Sequence, residues 1–421
     1  MLDIKFIREN LEVVKAGAKK KKVVVNVDRL VGLDDQRRTL LKKVEGQRAL
    51  QNEVSKKIAA ASDSMMRDVH IRDMQGLKAN MQQDEEELKT VIAEWRVLML
   101  KVPNVPDMTV PDGDSDADNQ EIRVWGEKPQ FPFAPKDHTK IMRALDMVDL
   151  DRGAKVSGFR GYFLKNDGVR LSFAIWQYAL DFFGKRGFTL MMAPSVVNKE
   201  PFVGTGFLPQ SEEDLYKTQD GAYLSGTAEV PTMGYHMDEV LDKKDLPKRY
   251  LVFSTCYRRE AGAHGKDVKG LIRVHEFYKI EQVILAEASH QVSVEMHEWL
   301  NCNTEEFIQS LGIPYHVVVN CGGDLGLGQV KKYDIELWVP GEMTYREISS
   351  ASYFHDFQTR RLNIRYRDDE GKLQYAHSLN STAIPTPRIL VSLVENFQQE
   401  DGSIVIPEVL RPYMGKDSIS K

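Results

Sequence analysis

Apolar residues alternating three and four apart run through Leu30, Leu33, Leu40, Val44, Val54 and Ile58, with Arg37, Gln47 and Gln51 on the same stripe. This heptad spacing predicts one long helix with a single seam. After the polar break Ser62-Asp63-Ser64 a second stripe follows: Met74, Leu77, Met81, Asp84, Leu88, Val91, Trp95 and Leu98. The two helices are expected to fold back on each other as an antiparallel hairpin. At about 1.5 Å per residue, roughly thirty residues would reach ~45 Å, enough for a projecting arm. The polar residues in both stripes leave an ordinary packed helical subdomain as the alternative.

Proline and acidic residues dominate from Pro103-Asn104-Val105-Pro106-Asp107 to Asp118, with too few apolar groups for an element there. This is the expected domain boundary, giving a helical arm over 1–102, a linker over 103–130 and a second domain over 131–421. Beyond it, Leu171 to Phe183 has the period of an amphipathic helix, while Tyr250–Phe253 and Tyr278–Ile284 read as strands. Without a regular strand–helix alternation, an α+β domain with a mainly antiparallel sheet is expected.

Composition narrows the picture only a little. The chain has 421 residues, and 57 basic against 62 acidic side chains leave a net charge of −5, so contact with nucleic acid needs a local basic face. Cys256, Cys302 and Cys321 form no C-x-x-C pair, which points to neither a disulfide framework nor a cysteine zinc site. The N-terminus lacks a signal-peptide layout and no apolar run spans a bilayer, so a cytoplasmic protein is expected.

Several segments can carry chemistry. The glycines of Cys321–Gly328 loosely mimic a dinucleotide loop, but Lys331–Trp338 alternates as a strand where a helix is required, so a flexible loop is expected. Tyr257-Arg258-Arg259-Glu260 runs through a glycine-containing mobile loop with His264, Gly265 and Lys266 to Arg273, Val274 and Phe277. Two strands with arginines at their joined ends could clamp a polyphosphate, because a guanidinium offers fixed charge and forked donors. A solvated surface hairpin is the alternative. Glu347-Ile348-Ser349-Ser350 sets a carboxylate and a hydroxyl where they could hold hydrated magnesium against phosphate oxygens. Pro385-Thr386-Pro387-Arg388 leads into the helical face Ile389, Leu390, Leu393, Val394 and Phe397. Arg388 then falls at the positive end of the helix dipole, unfavourable unless an anion pairs with it.

Together these segments resemble the three signature motifs of class II aminoacyl-tRNA synthetases, and the chain resembles the seryl-tRNA synthetase family from end to end. The matching residues include Met1–Asn10, Pro103–Pro106, Thr227-Ala228-Glu229, the hairpin from Arg258 to Phe277, Glu347–Ser350, Asp356-Phe357-Gln358 and the tail from Glu395 to Met414. The resemblance implies an antiparallel sheet flanked by helices and a homodimer joined around Gly187 to Pro194. It implies activation of L-serine by ATP with Mg2+, then transfer to the 3′ end of serine tRNA, leaving selenocysteine tRNA open as a second acceptor. Neither DNA nor a membrane is implied as a partner.

By the same resemblance, Arg258 grips the α-phosphate, Glu260 reads the adenine edge, Phe277 stacks on the base and Arg388 holds the far phosphates. Glu347 and Ser350 would carry magnesium; Arg259, Val274, Ile348 and Ser349 complete the ATP-binding set. Thr227, Ala228, Glu229, Arg273, Glu281 and Thr382 would form the serine pocket. The sequence departs from the family pattern at Thr382–Pro387, where glycines are usual before the arginine, and at Ser352–His355. Along the arm, Arg37, Arg38, Lys42, Lys43, Lys56 and Lys57 would offer a basic face to an RNA stem, and Lys19–Lys22 would be a solvated run. A ligase charging a carrier protein and a non-catalytic RNA-binding protein are the rival readings. The long arm and the absent cysteine zinc site weigh against the first, and the presence of Arg258, Glu260, Glu281, Glu347 and Arg388 against the second.

Overall fold

The computed structural model describes residues 1–262 and 270–421, which divide into two compact units, Met1–Val105 and Pro106–Lys421. The first unit is helical: α1 (Ile4–Glu9), α2 (Leu11–Lys20), α3 (Val27–Ala60) and α4 (Ser64–Lys101). Both long helices begin at side-chain caps, Asn26 accepting from the Arg29 amide and Asp63 from that of Met65, which satisfies donors with no intrahelical partner. They pack antiparallel, with Leu33, Leu40, Val44, Leu88 and Val91 in the seam, while Ile7, Val14, Leu30, Met99 and Val102 form a second cluster with the short helices.

The polar interruptions of the seam pair with one another. Buried Asp84 accepts from Lys43 at 2.8 Å and Gln47 at 2.6 Å, and Arg37 bonds Asp34 while lying 5.0 Å from the Trp95 ring centre. Arg37 and Lys43 are therefore engaged within the hairpin, and Lys57 pairs with Glu53, leaving Arg38, Lys42 and Lys56 as exposed members of the expected basic face. The lysine run also differs from expectation. Lys21 is buried, and burial pulls its ammonium well below the ordinary lysine range.

The second unit is built on an eight-stranded sheet: β1 (Gln120–Trp125), β2 (Thr189–Met192), β3 (Lys248–Tyr257), β4 (Glu276–Ala286), β5 (Tyr315–Val319), β6 (Lys331–Val339), β7 (Thr344–Tyr353) and β8 (His377–Thr386). Its order is β1-β5-β6-β7-β8-β4-β3-β2, and every pairing is antiparallel except β2 with β3. This is the mainly antiparallel sheet flanked by helices that the sequence leads one to expect. Helices α5 (His138–Ala144), α6 (Asn166–Gly184), α7 (His290–Leu311) and α8 (Arg388–Asn396) accompany the sheet. Leu251 and Ile284 join the main core with α6, α7 and α8, whereas their neighbours Tyr250, Val252, Val283 and Leu285 enter a second core with Ala228 and Met233. Alternation thus buries both faces of the central strands. No described helix is long and apolar enough to cross a membrane.

The stretch expected as a linker over 103–130 contains β1, the sheet's edge strand. All six of its residues are exposed, so burial gave no signal. Pairing with β5 and side-chain ions hold it instead. His316 on β5 bonds Glu121 at 2.7 Å and Glu336 at 2.8 Å, and Arg123 reaches Glu305 at 2.9 Å. Burial works against charge on the His316 ring, but Glu336 and Glu121 outweigh it and raise its pKa above the ordinary value.

The seam can be tested at positions of contrasting burial. Leu33 is 1% exposed and Leu50 46%. Leu33→Ala should cost about 3 kcal/mol and accelerate native-state amide exchange along α3 about 100-fold. Leu50→Ala should change it less than about 3-fold.

Candidate active site

The floor of the site is β7, where a local irregularity decides which side chains face it. On a regular strand, residues three apart point to opposite sides. Here the register passes from Ser349 opposite Ile335 to Glu347 opposite Glu336, leaving Ile348 unpaired. That extra residue resets the alternation, so Glu347 and Ser350 stand on the same face. Both line the cavity, and neither side chain forms a hydrogen bond or ion pair with a described residue. Two free oxygen ligands suit a hydrated magnesium that takes its remaining ligands from water and phosphate.

One wall comes from β3 and β4. Arg258, just past β3, donates through Nε and Nη2 to the Gly226 carbonyl at 3.3 and 3.2 Å, with its guanidinium 5.3 Å from the Phe277 ring centre. Glu260 has φ +54°, in the left-handed region that non-glycine residues seldom occupy, and accepts from Arg273 Nη1 at 2.9 Å. Val274 and Phe277 complete this wall. The opposite wall is the start of α8. Arg388, its first residue, donates to the carbonyls of Ile272 at 3.0 Å and Glu347 at 2.9 Å. Burial lowers the Arg388 pKa, Glu347 opposes that, and nearby Arg258 and Arg273 add to it. An anion among these guanidinium groups would relieve their mutual repulsion.

Beside this cationic space lies a buried polar group. Thr227 Oγ1 donates to Glu281 at 3.0 Å, and Lys279 forms an ion pair with Glu281. Glu229 accepts from Gln358 Nε2 at 2.6 Å. Burial, reinforced by the charge of Glu281, raises the Glu229 pKa to about 7, partly offset by Gln358, Lys279 and Asn380. Thr382 pairs across the sheet with Glu281 and lines the cavity.

Not every expected residue joins the site. Arg259 turns to the Glu213 carbonyl at 3.1 Å, Ala228 packs into the second core, and Ser349 donates its hydroxyl to the Thr382 carbonyl. Ile348 does line the cavity. His264, Gly265 and Lys266 lie outside the described residues. Sequence reasoning assigned no role to Lys279, Gln358 or Asn380. Lys279 was the accessible one, since it alternates with Phe277 and Glu281 along β4 and so shares their face. The segment expected as a flexible loop instead opens with a short 3-10 turn at Gly322–Asp324, where the Gly322 and Gly323 amides bond the carbonyls of Pro111 and Gly113.

Comparison with known proteins bears on the family and the fold. Residues 1–106 match the seryl-tRNA synthetase N-terminal domain, and residues 214–397 the tRNA synthetase class II core domain (G, H, P, S and T). The serine–tRNA ligase of Geobacter sulfurreducens is 44% identical over 418 residues, covering 99% of each chain. That of Deinococcus radiodurans is 43% identical, covering 99% of this chain and 98% of its own. The crystal structure of seryl-tRNA synthetase from Pyrococcus horikoshii complexed with ATP superposes with a TM-score of 0.91 at 38% identity, covering 100% of this chain and 99% of that one. The Naegleria fowleri cytoplasmic enzyme in complex with AMP gives 0.88 at 34%, with the same coverage. With its helical hairpin, its antiparallel sheet and its arginine-walled cavity, the chain belongs to the seryl-tRNA synthetase family.

Proposed function

We infer that this protein is an ATP-dependent serine–tRNA ligase, which joins serine to ATP as seryl-adenylate, releases pyrophosphate, and passes the seryl group to the 3′ end of serine tRNA. The observation that carries this reading is the convergence of Arg258, Arg273 and Arg388 on one cavity, next to the polar group of Thr227, Glu229 and Glu281. The family membership and the ATP and AMP complexes of the two relatives support the same nucleotide here.

Arg258 would hold the α-phosphate, with Phe277 against the base, Glu260 at the adenine edge and Arg388 on the far phosphates; their sharing one cavity supports this. Their charges oppose the negative charge that grows as the serine carboxylate attacks and pyrophosphate leaves. Glu347 and Ser350 would hold magnesium, which when bound neutralises phosphate charge and orients the triphosphate. Arg273 takes the serine carboxylate, while Glu229 and Glu281 face its ammonium and Thr227 and Thr382 its hydroxyl. A pocket committed to that hydroxyl leaves polar groups unpaired when alanine enters, a mismatch that can discriminate by about 10⁴-fold or more.

A homodimer fits an apolar groove of about 1200 Å³ along the edge strand β2. Phe173, Leu190 and Met192 are exposed there, and such a patch beside an open sheet edge favours a second copy of the chain. In the helical unit, exposed Arg38, Lys42 and Lys56 are suited to backbone contacts with an RNA stem.

Serine-dependent ATP–pyrophosphate exchange tests the first step. Exchange should occur with serine and not with threonine, alanine or glycine. Arg258→Ala should reduce it at least about 10²-fold while leaving RNA retention unchanged. Unaltered exchange in that variant would remove Arg258 from the mechanism.

The Glu229 carboxyl gives a second test. With its folded-state pKa near 7, the group is mostly protonated at pH 6, and a serine ammonium seated on it would drive the proton off. Calorimetry in buffers of different ionisation enthalpy should then show about one proton released per serine at pH 6 and far less at pH 8. Glu229→Gln should abolish the release; a release unchanged in that variant would assign the proton elsewhere.

A further inference from the structure

A buried imidazole outside the cavity closes a loop of contacts around Arg388. Glu395 lies seven residues after Arg388 on α8 and is fully buried. One of its oxygens, Oε1, accepts from the His138 backbone amide at 2.7 Å and faces His138 Nδ1 at 2.9 Å. The other accepts from the Gly341 amide at 2.8 Å. On the far side of the ring, the Leu271 amide donates to His138 Nε2 at 3.2 Å. A backbone amide can only donate, so Nε2 is the acceptor and the ring proton sits on Nδ1, directed at Glu395. The next residue, Ile272, presents the carbonyl that receives Arg388 Nε. The path therefore runs from Arg388 along α8 to Glu395, through His138 to Leu271 and Ile272, and back to Arg388.

Two glycines admit this arrangement. A Cβ on Gly270, whose φ is +81°, would stand 2.1 Å from His138 Nε2, and one on Gly341 would stand 2.8 Å from Glu395 Oε2. Both approaches are closer than a side chain allows, so the backbone is stripped of Cβ on either side of the pair. His138 and Glu395 are both nearly sealed from solvent, where a half-satisfied polar network would be costly.

We propose that His138, oriented by Glu395, is a positioning residue for ATP: it fixes the Leu271–Ile272 backbone and thereby the aim of the Arg388 guanidinium. This rests on the reading of the cavity as an ATP site. His138 does not touch the substrate, and its effect reaches the reaction through the Ile272 carbonyl. Losing the Nε2 acceptor should free that carbonyl and loosen the grip on the far phosphates, with a smaller effect on the serine pocket, because the neighbouring Arg273 is held separately by Glu260.

The test uses the full-length chain with His138→Asn and His138→Gln. Asparagine retains a donor near Nδ1 but has nothing at the Nε2 position, whereas glutamine extends far enough to offer an acceptor there. In serine-dependent ATP–pyrophosphate exchange, the asparagine variant should raise KM for ATP about tenfold or more with KM for serine rising less than about threefold, and the glutamine variant should recover most of the loss. Hydrogen exchange should report faster opening at Leu271 in the asparagine variant. Gly270→Ala, which keeps both side chains but crowds the contact between His138 Nε2 and the Leu271 amide, should give the same selective rise and decides the matter if the asparagine variant does not fold. Wild-type KM for ATP in both variants that fold, or equal losses for ATP and serine without rescue by glutamine, would overturn the proposal. Absence of exchange in the unmodified chain would instead overturn the reading of the site.

Discussion

The candidate active site depends on holding two guanidinium groups, those of Arg258 and Arg388, close together without neutralising them, while the third, Arg273, pairs with Glu260. Arg258 is fixed by the Gly226 carbonyl, and Arg388 by the carbonyls of Ile272 and Glu347. Neither forms an ion pair with a described carboxylate. A carbonyl orients a guanidinium through its dipole and leaves its full charge available, whereas a carboxylate would cancel that charge. The surrounding backbone must therefore be accurate, since no strong ion pair compensates for a misplaced carbonyl. The β7 irregularity, the left-handed Glu260 and the close approaches at Gly270 and Gly341 all serve backbone placement in this region.

The proposed amino-acid pocket uses the opposite strategy. Glu229, Glu281, Lys279 and Thr227 are buried and bonded among themselves or to Gln358. Lys279 offsets the negative charge of Glu281, yet Glu229 is left with an affinity for protons near neutrality. A zwitterionic ligand, with an ammonium and a carboxylate on one carbon, suits such a pocket beside a cationic space. The two strategies meet at Thr382, which pairs with Glu281 across the sheet while lining the cavity proposed for the phosphates.

Much of this was legible in the sequence, where the chemistry coincides with a period or a motif. The paired helices announced themselves through their stripes, and the apolar run into Phe397 marked the helix that begins at Arg388. What escaped detection depends on pairing between distant segments. Glu347 and Ser350 share a face only because Ile348 lacks a partner on β6, and that is a property of two strands together. The strand at Gln120–Trp125 has no buried residue, so it carries no hydrophobic signature, and its anchors His316 and Glu305 are nearly two hundred residues away. The Arg259 side chain follows from its contact with the 212–214 turn, which spacing along the motif does not reveal.

The buried Asp84 of the helical hairpin has a consequence for how such an arm can change over time. Its bonds to Lys43 and Gln47 single out one alignment of α3 against α4, because sliding either helix by a turn would strand a carboxylate in an apolar seam. Matched additions or deletions of one heptad in each helix, made beyond that point toward the tip, would leave both the stripe and the alignment intact. The length of the hairpin can thus vary in whole-heptad steps, an evolutionary dial that leaves the sequence of the second unit untouched.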